Sequence, residues 1–307
     1  MVNVSPTKEY NMILPDSNVI QKVYVGSTYL YGLQQESSKS PNVYLYRGVL
    51  PDPGEIDVNM TKYMTLTNFG HTETLDYFEY NQQPYFWIGT KPTDNNSATY
   101  PWANQIGRLP IDGEDKDGNT SIERISSISS ANANGKPAFE LLRCEAALSS
   151  TNNRLFILGE DAKGNKQLTV YNANTVNRLL DNSATGYVSC QDSSMKALVA
   201  DGGALISSHI RSFSYPNKSL QGIEYSDDNK IYISGGASSD TPKINKRNWQ
   251  FTQSETASLD LSGSQIETEG VQLKGSKVYV GIEQHLSTDY GNGGHLVYSI
   301  PKNTFSF

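Results

Sequence analysis

Five polar residues recur along this chain in the same local pattern, and they are the first candidates for chemistry. Each belongs to an apolar run that is followed by polar turn residues and a second apolar run ending near glycine; the five are Gln21, Glu73, Glu145, Gln221 and Glu269. His71 and Cys144 lie beside two of them. Carboxylates that face one common axis repel one another, which raises at least one pKa. Perturbed carboxylates in a concavity are typical of functional sites.

Three interpretations of these positions stay open. Polar residues repeated at the start of inner strands can hold neighbouring strands together or order water, and five similar copies are more typical of architecture than of an asymmetric catalytic pair. They can also form a binding ring, for which the candidates are Gln21, His71, Glu73, Glu145, Gln221 and Glu269. A glycoside hydrolase needs two carboxylates about 5–10 Å apart, and the candidates for that role are Glu73, Glu145 and Glu269. The sequence alone assigns no catalytic residue.

The elements around these positions predict an all-β fold. Each copy is a β-hairpin signal, because two apolar runs are joined by turn residues. Such recurrence is typical of a repeat architecture, in which a four-stranded propeller blade takes about 40–50 residues. Five blades with some long loops fit a chain of 307 residues, and radial closure leaves only short sheet edges. The sequence therefore predicts a five-bladed β-propeller in a single domain over residues 1–307.

Further strands complete this prediction. Third strands are expected at Asn42–Arg47, Gln105–Pro110, Gln167–Tyr171 and His295–Ile300, and at Trp249–Thr252 in the fourth blade. Only one strand follows the last hairpin, so we expect the apolar segment Tyr10–Leu14 to pair with the last blade and close the ring. Asn174–Leu180 has the spacing of a short helix. The alternatives are a β-sandwich, two smaller β domains, or a sixth blade hidden in the long gaps.

The charge and hydrophobicity of the chain limit which kinds of partner we expect. The net charge is −7 and the pI is about 5.2, so we expect no nucleic-acid partner, and the short basic cluster Lys243–Arg247 is interpreted as a solvated loop. The chain has no apolar run long enough to predict a transmembrane segment. Its first residues lack the pattern of a secretory signal.

Cys144 and Cys190 are interpreted as buried free thiols, with a disulfide as the alternative for an extracellular protein.

No metal or cofactor is predicted. Asp112–Asn119 resembles a calcium loop, but Gly118 is misplaced for that motif, and we interpret the segment as a solvated turn. Phosphate-loop, dinucleotide-binding and nucleophile-elbow motifs are missing from the sequence.

We expect different positions for two of the tryptophans. Trp87 lies in an apolar strand and is predicted to be core, whereas Trp102, after the loop Thr93–Thr99, is a candidate for stacking on a sugar, with packing between blades as the alternative.

The chain resembles the helveticin J family through a series of motifs in the same order. They are Val19–Gln34, Gly70–Leu75, Trp87–Pro92, Trp102–Arg108, Glu145–Ser149, Leu168–Asn177, Ser219–Gly222, Ile231–Ser234 and the stretch around Glu269. Helveticin-like proteins are large, heat-labile class III bacteriocins of lactobacilli, and members can lack an evident signal peptide. The resemblance therefore implies a secreted antibacterial protein that kills related Gram-positive bacteria. It carries over no catalytic residue.

Three hypotheses for function follow. An antibacterial binding protein would recognise a bacterial surface component, such as cell-wall polysaccharide, through one channel mouth and its loops. A bacteriolytic enzyme would cut wall glycan with the channel carboxylates, an idea that rests on fold-level analogy. A non-toxic interaction scaffold is the third hypothesis.

Overall fold

The computed structural model describes residues 1–93, 100–149, 153–200, 209–261, 265–285 and 294–307. These residues form five sheets, which are the blades of an all-β propeller, and the predicted fold class is confirmed. The chain divides into two compact units. Unit 1 comprises Met1–Glu36, Tyr44–Met64 and Ser214–Phe307, and unit 2 comprises Ser37–Val43 and Thr65–Phe213. The single domain over residues 1–307 stays a prediction.

The strands are numbered in chain order. They are β1 (Val2–Val4), β2 (Thr7–Ile13), β3 (Ile20–Val25), β4 (Tyr29–Gln35), β5 (Val43–Val49), β6 (Asp57–Asn59), β7 (Thr61–Thr67), β8 (Leu75–Tyr80), β9 (Gln83–Pro92), β10 (Ala103–Pro110), β11 (Lys116–Asp117), β12 (Glu123–Ser126), β13 (Arg143–Ser149), β14 (Arg154–Glu160), β15 (Asn165–Asn172), β16 (Tyr187–Ser189), β17 (His209–Ser212), β18 (Gly222–Tyr225), β19 (Lys230–Gly235), β20 (Lys243–Asn248), β21 (Ser254–Leu259), β22 (Ile266–Lys274), β23 (Lys277–Gln284) and β24 (His295–Pro301). The α-helices are α1 (Ala173–Asp181) and α2 (Ser193–Ala200), and single 3-10 turns lie at Ile128–Ser130, Pro216–Lys218 and Lys302–Thr304.

Unit 1 holds blade 4, with strand order β18-β19-β20-β21-β1, and blade 5, with order β22-β23-β24-β2-β6. Most of blade 1, β3-β4-β5-β7-β11, also lies here, and β7 continues into unit 2, where its last residues pair with β11. In blade 5, β2 pairs antiparallel with β24, with Tyr10 opposite Val297 and Met12 opposite His295. The N-terminal strand therefore closes the ring, as predicted. The sequence analysis did not anticipate β1, which pairs parallel with β21.

Unit 2 holds blade 2, with strand order β16-β12-β10-β9-β8, and blade 3, with order β13-β14-β15-β17. The long gaps between the recurring polar residues contain outer strands and both α-helices; in the described residues they hold no sixth sheet. Helix α1 confirms the prediction at Asn174–Leu180, and the Thr175 N–H donates to Asn172 Oδ1 at 2.9 Å at its N-terminus. Helix α2 was not predicted.

Four of the five predicted third strands are confirmed as β5, β10, β15 and β24. The fourth-blade prediction is wrong, because the third strand there is β20 and Trp249–Thr252 forms the turn after it. Asn248 Oδ1 accepts from the N–H groups of Thr252 at 2.9 Å and Gln253 at 3.0 Å, and these bonds satisfy the turn backbone. The interpretation of Lys243–Arg247 as a solvated loop is also wrong, since these residues form β20 itself.

The core of unit 2 contains Trp87, which is fully buried and stacks on Phe78 with ring centroids 4.9 Å apart. The prediction for Trp87 is confirmed. Cys144 and Cys190 belong to the same core as free, buried thiols, so that interpretation is confirmed too. Burial raises the pKa of Cys190 to about 12, which keeps the thiol protonated and unreactive near neutral pH.

The interpretation of Asp112–Asn119 as a solvated turn is only partly right, because Lys116 and Asp117 form β11, which pairs with β7, while turn contacts surround them. Lys116 Nζ pairs with Asp112 Oδ2 at 2.8 Å, and the Asn119 N–H donates to Asp117 Oδ1 at 2.8 Å. Within the described ranges, His, Cys, Asp and Glu side chains form no group of three or more that could hold a metal ion. The helices found in those ranges are too short or too polar to cross a bilayer.

Candidate functional site

Glu145 occupies the third position of β13 and is fully buried. Its Oε2 accepts hydrogen bonds from Thr74 Oγ1 at 2.6 Å, the Glu73 N–H at 3.1 Å and Thr72 Oγ1 at 3.2 Å. The Ala146 N–H in turn donates to Thr74 Oγ1 at 2.8 Å. Within unit 2, this carboxyl group therefore fastens the first strand of blade 3 to the segment that leads into blade 2.

Burial raises the pKa of Glu145, while the hydrogen bond from Thr74 and the charge of Arg143 act in the opposite direction. The sequence analysis expected a raised pKa from repulsion between carboxylates. The direction agrees, but the main cause is the loss of hydration around one charge. Glu73 is likewise fully buried. Both carboxyl groups are withdrawn from solvent, and the observed bonds give Glu145 a clear structural role.

In unit 1, two of the recurring polar residues coincide with β-bulges. The register between β3 and β4 shifts at Gln21, and the register between β22 and β23 shifts across Glu269 and Gly270. A bulge places an extra residue opposite one partner and turns side chains out of strict alternation. Gln21 and Lys22, which are consecutive, are both buried. The recurring polar residue marks an irregularity of the strand in these two blades.

Lys22 is a buried cation that sequence analysis passed over. Its Nζ lies 2.7 Å from Glu224 Oε1 and also donates to the Val271 carbonyl. The three residues belong to β3, β18 and β22, so one ammonium group links the first strands of three blades within unit 1. Gly270 allows this approach, because a Cβ there would lie 2.9 Å from Lys22 Cα. A lysine inside an otherwise apolar strand was the available signal.

The remaining polar candidates in unit 1 lie on the same strands or next to them. Gln221 Nε2 donates to Glu267 Oε1 at 3.0 Å, and the other oxygen of Glu267 lies 2.8 Å from His285 Nε2. Ser234 Oγ donates to the Glu269 carbonyl oxygen at 2.9 Å. The structure therefore places Gln21 on β3, Glu269 on β22 and Gln221 just before β18, all within unit 1. It places His71, Glu73 and Glu145 together in unit 2. One binding ring made of all six residues stays a prediction.

Four residues of unit 2 form what we term the aromatic cluster, namely His71, Tyr100, Trp102 and Arg143. The His71 and Trp102 rings lie 4.4 Å apart between centroids, and Tyr100 lies 5.3 Å from Trp102 and 5.4 Å from His71. The guanidinium carbon of Arg143 lies 4.6 Å from the Trp102 ring centroid. Trp102 is half-buried, whereas Tyr100 is 37% exposed. Tyr100 thus presents the most accessible ring of the cluster.

The backbone and one ion pair hold this cluster in place. The His71 N–H donates to the Pro101 carbonyl at 2.7 Å, and the Ala103 N–H donates to the His71 carbonyl at 2.9 Å. Arg143 Nε donates to Glu160 Oε2 at 3.0 Å. Most of the loop predicted at Thr93–Thr99 lies outside the described residues. Trp102 forms an isolated β-bridge with His71, and it lies beside Arg143, the first residue of β13.

Burial, with the neighbouring charge of Arg143, lowers the pKa of His71 to about 3. The imidazole is accordingly neutral near pH 7. Its Nδ1 is shielded from solvent even though part of the residue is exposed. The cluster thus combines neutral aromatic surface with one guanidinium that is held by a carboxylate, a combination that suits an uncharged polar ligand with apolar faces.

This pKa leads to a prediction about acid stability. Unfolded chains take up a proton on histidine near pH 6.5 but the native state does so only near pH 3, so acidification through this window favours unfolding. In His71→Phe, which keeps a stacking ring, we expect the melting temperature to fall less between pH 7 and pH 4 than in the wild type. Thermal melts across that pH range test this. Parallel curves for the two proteins would show that another group controls acid unfolding.

Sequence reasoning missed Tyr100 and Arg143 as members of this cluster. Arg143 lies two residues before Glu145, and residues two apart in a strand share a face, so the spacing contained a usable signal. Tyr100 could have been noticed as a second aromatic residue beside Trp102. The contacts of Tyr100 with His71 and of Arg143 with Trp102 join separate parts of the chain and had no local signal.

The family model for Bacteriocin helveticin-J matches residues 1–303. Bacteriocin helveticin-J of Lactobacillus helveticus is 24% identical over 321 aligned positions, which cover 94% of this chain and 93% of that protein.

Two solved structures match nearly the full length of this chain. The tail fibre of Staphylococcus aureus phage P68 has a TM-score of 0.60 and 15% identity, and the match covers 97% of this chain and 53% of the fibre chain. This chain therefore spans about half the length of the fibre chain. An exo-beta-1,3-galactanase from Phanerochaete chrysosporium has a TM-score of 0.48 and 11% identity, with 97% and 65% coverage. The likeness to the tail fibre concerns the fold alone. Because the family match runs along nearly the whole chain, this protein belongs to the helveticin-J bacteriocin family.

Proposed function

We propose that this protein is a secreted bacteriocin that binds cell-wall glycan of related Gram-positive bacteria and kills those cells. The observation that carries the proposal is the family match over residues 1–303. A protein that acts in this way works outside the cell that makes it and needs a surface for its target. The aromatic cluster of unit 2 is our candidate for that surface.

The chemistry of the cluster supports a glycan as the ligand. Sugars present apolar C–H faces between hydroxyl groups, and aromatic rings with a polar neighbour fit such a surface. Tyr100 is 37% exposed, and its ring makes edge contacts with the rings of Trp102 and His71. Trp102 is half-buried and packs against His71 and Arg143, so in this proposal it acts mainly by positioning Tyr100.

The cluster makes a testable prediction. In Tyr100→Ala and in Trp102→Ala, we expect the affinity for isolated lactobacillus cell walls to fall about tenfold, which corresponds to the loss of one aromatic contact. Pull-down of purified protein with increasing amounts of wall gives the affinity. Tyr187→Ala is the matched control, because Tyr187 is 42% exposed in the outermost strand of blade 2. Equal loss in all three variants, or loss in none, would contradict a specific role for the cluster.

Hydrolysis of the wall is the alternative to recognition. It would require Glu73, Glu145 or Glu269 to reach a glycosidic bond, and all three side chains are at most 2% exposed. Incubating live lactobacilli and isolated walls with the protein separates the two activities, if viability, bound protein and soluble reducing sugar are measured together. Killing with wall binding and no released sugar is the expected result. Released sugar would favour hydrolysis, and the absence of both binding and killing would favour an interaction scaffold.

A further inference from the structure

Unit 1 contains an open cleft of about 740 Å³ that lies against β20 and β21 of blade 4. This volume is in the usual range for small-molecule sites, about 300–1,000 Å³. Alternate residues of β20 face it, namely Lys243, Asn245 and Arg247, and Ser254 and Thr256 face it from β21. This alternation places polar side chains on one side of β20, with Ile244 fully buried on the other. The basic cluster noticed in the sequence is therefore a structured surface.

Asn245 organises the floor of the cleft. Only 3% of it is exposed. Its amide nitrogen, which has two hydrogens to donate, lies within hydrogen-bond distance of Ser254 Oγ at 3.0 Å, the Glu255 carbonyl at 3.0 Å and Thr256 Oγ1 at 2.8 Å. These bonds lock two strands and two hydroxyl groups in fixed positions. A site whose polar groups are held in advance loses less conformational freedom when a ligand binds.

The two cations of the cleft are oriented by uncharged oxygen atoms. Lys243 Nζ donates to Asn217 Oδ1 at 2.7 Å. Arg247 Nε donates to Asn245 Oδ1 at 2.6 Å, and its Nη2 donates to the Ser214 carbonyl at 3.3 Å. Such bonds fix the direction of a charged group, and guanidinium and ammonium groups are the usual protein donors to phosphate.

The rest of the lining adds a carboxylate and aromatic surface. Glu255 also lines the cleft, and its Oε2 accepts from the Ser306 N–H at 2.6 Å and from Ser306 Oγ at 3.0 Å. Tyr215 and Phe307 also line the cleft. The lining residues therefore include two cationic side chains, one carboxylate, several hydroxyl and amide groups, and two aromatic residues. This mixture matches a ligand that carries one anionic group on a polyhydroxylated body.

We propose that this cleft binds a phosphorylated sugar or polyol, with Lys243 and Arg247 contacting the phosphate and the polar floor contacting the hydroxyl groups. The site lies in unit 1 and is independent of the aromatic cluster in unit 2. It would give the protein a second ligand of a different chemical class from a neutral wall glycan.

Glucose 6-phosphate and glucose are the probes, titrated into the whole protein by calorimetry at fixed ionic strength. We expect glucose 6-phosphate to bind at least tenfold more tightly than glucose, and Arg247→Gln and Lys243→Gln each to weaken it about tenfold. Lys8→Gln is the matched control, because it removes the same charge from an exposed position on β2 of blade 5. Circular dichroism confirms that each variant is folded.

Each remaining outcome decides the proposal. Equal affinity for the two probes, or equal weakening by Lys8→Gln and Arg247→Gln, would overturn it, because the first excludes phosphate recognition and the second indicates a diffuse charge effect. Trp102→Ala should leave glucose 6-phosphate binding unchanged within about twofold. The Trp102→Ala measurement distinguishes the cleft from the proposed glycan surface, because either proposal can be wrong while the other holds. Unimpaired binding by both Arg247→Gln and Lys243→Gln would also overturn the proposal.

Discussion

Replacing Lys22 with methionine should lower the free energy of unfolding by about 3–5 kcal/mol, the range for removing one partner of a buried ion pair. Lys22 is completely buried, and its ammonium group lies 2.7 Å from Glu224, which is itself 3% exposed. The methionine side chain fills similar space but leaves the carboxylate without its cation in a region that water does not reach. Urea denaturation followed by tryptophan fluorescence measures the loss.

Two further variants show whether the charge pair is the cause. The double variant Lys22→Met with Glu224→Leu should recover most of the lost stability, because it removes both charges and leaves apolar contacts. Lys277→Met is the comparison for an ion pair near the surface, since Lys277 is 43% exposed and pairs with Glu9 at 2.6 Å. We expect it to cost less than about 1 kcal/mol. Equal losses in Lys22→Met and Lys277→Met would refute a special role for the buried pair.

Glu145→Ala should destabilise the protein by about 3 kcal/mol, because it removes the acceptor of three hydrogen bonds in a buried region and each orphaned donor costs about 1–3 kcal/mol. The donors are the hydroxyl groups of Thr72 and Thr74 and the Glu73 N–H. Thr74 Oγ1 also lies 3.3 Å from the Ala146 carbonyl, an acceptor to which it can turn. This substitute bond keeps the expected loss below the sum of three orphaned donors.

Glu145→Gln separates architecture from catalysis. Glutamine keeps one oxygen as an acceptor, so we expect a loss of about 1 kcal/mol and unchanged wall binding and killing. An enzyme that uses this carboxyl would instead lose sugar release in Glu145→Gln while remaining folded. The comparison of stability and activity in the alanine and glutamine variants therefore tests whether the recurring polar residues hold blades together or react with a substrate.

The elements that the sequence predicted correctly depend on short stretches of chain. Alternation of apolar residues and the turn residues between them determine where hairpins form, and this signal located the strands around the recurring polar residues. The unpaired end of the last hairpin pointed to Tyr10–Leu14, and β2 does pair with β24. The same reasoning failed at Trp249–Thr252. The strand that precedes this turn, β20, contains two lysines and an arginine, and this composition was interpreted as a loop. Its burial comes from neighbouring segments outside the strand itself, so a local pattern does not reveal it.

Sequence alone was enough to establish the repeat, the all-β class, the family and the residue types that could do chemistry, because each of these depends on a local pattern or on ordered motifs. The contacts that those residues make depend on the folded chain. Lys22 meets a carboxylate 202 positions away, and Trp102 meets both His71 and Arg143, which are distant from it in the sequence. Burial, rather than repulsion between carboxylates, sets the direction of the Glu145 pKa. Desolvation and pairing depend on which distant strands become neighbours, and that information exists only once the blades have formed.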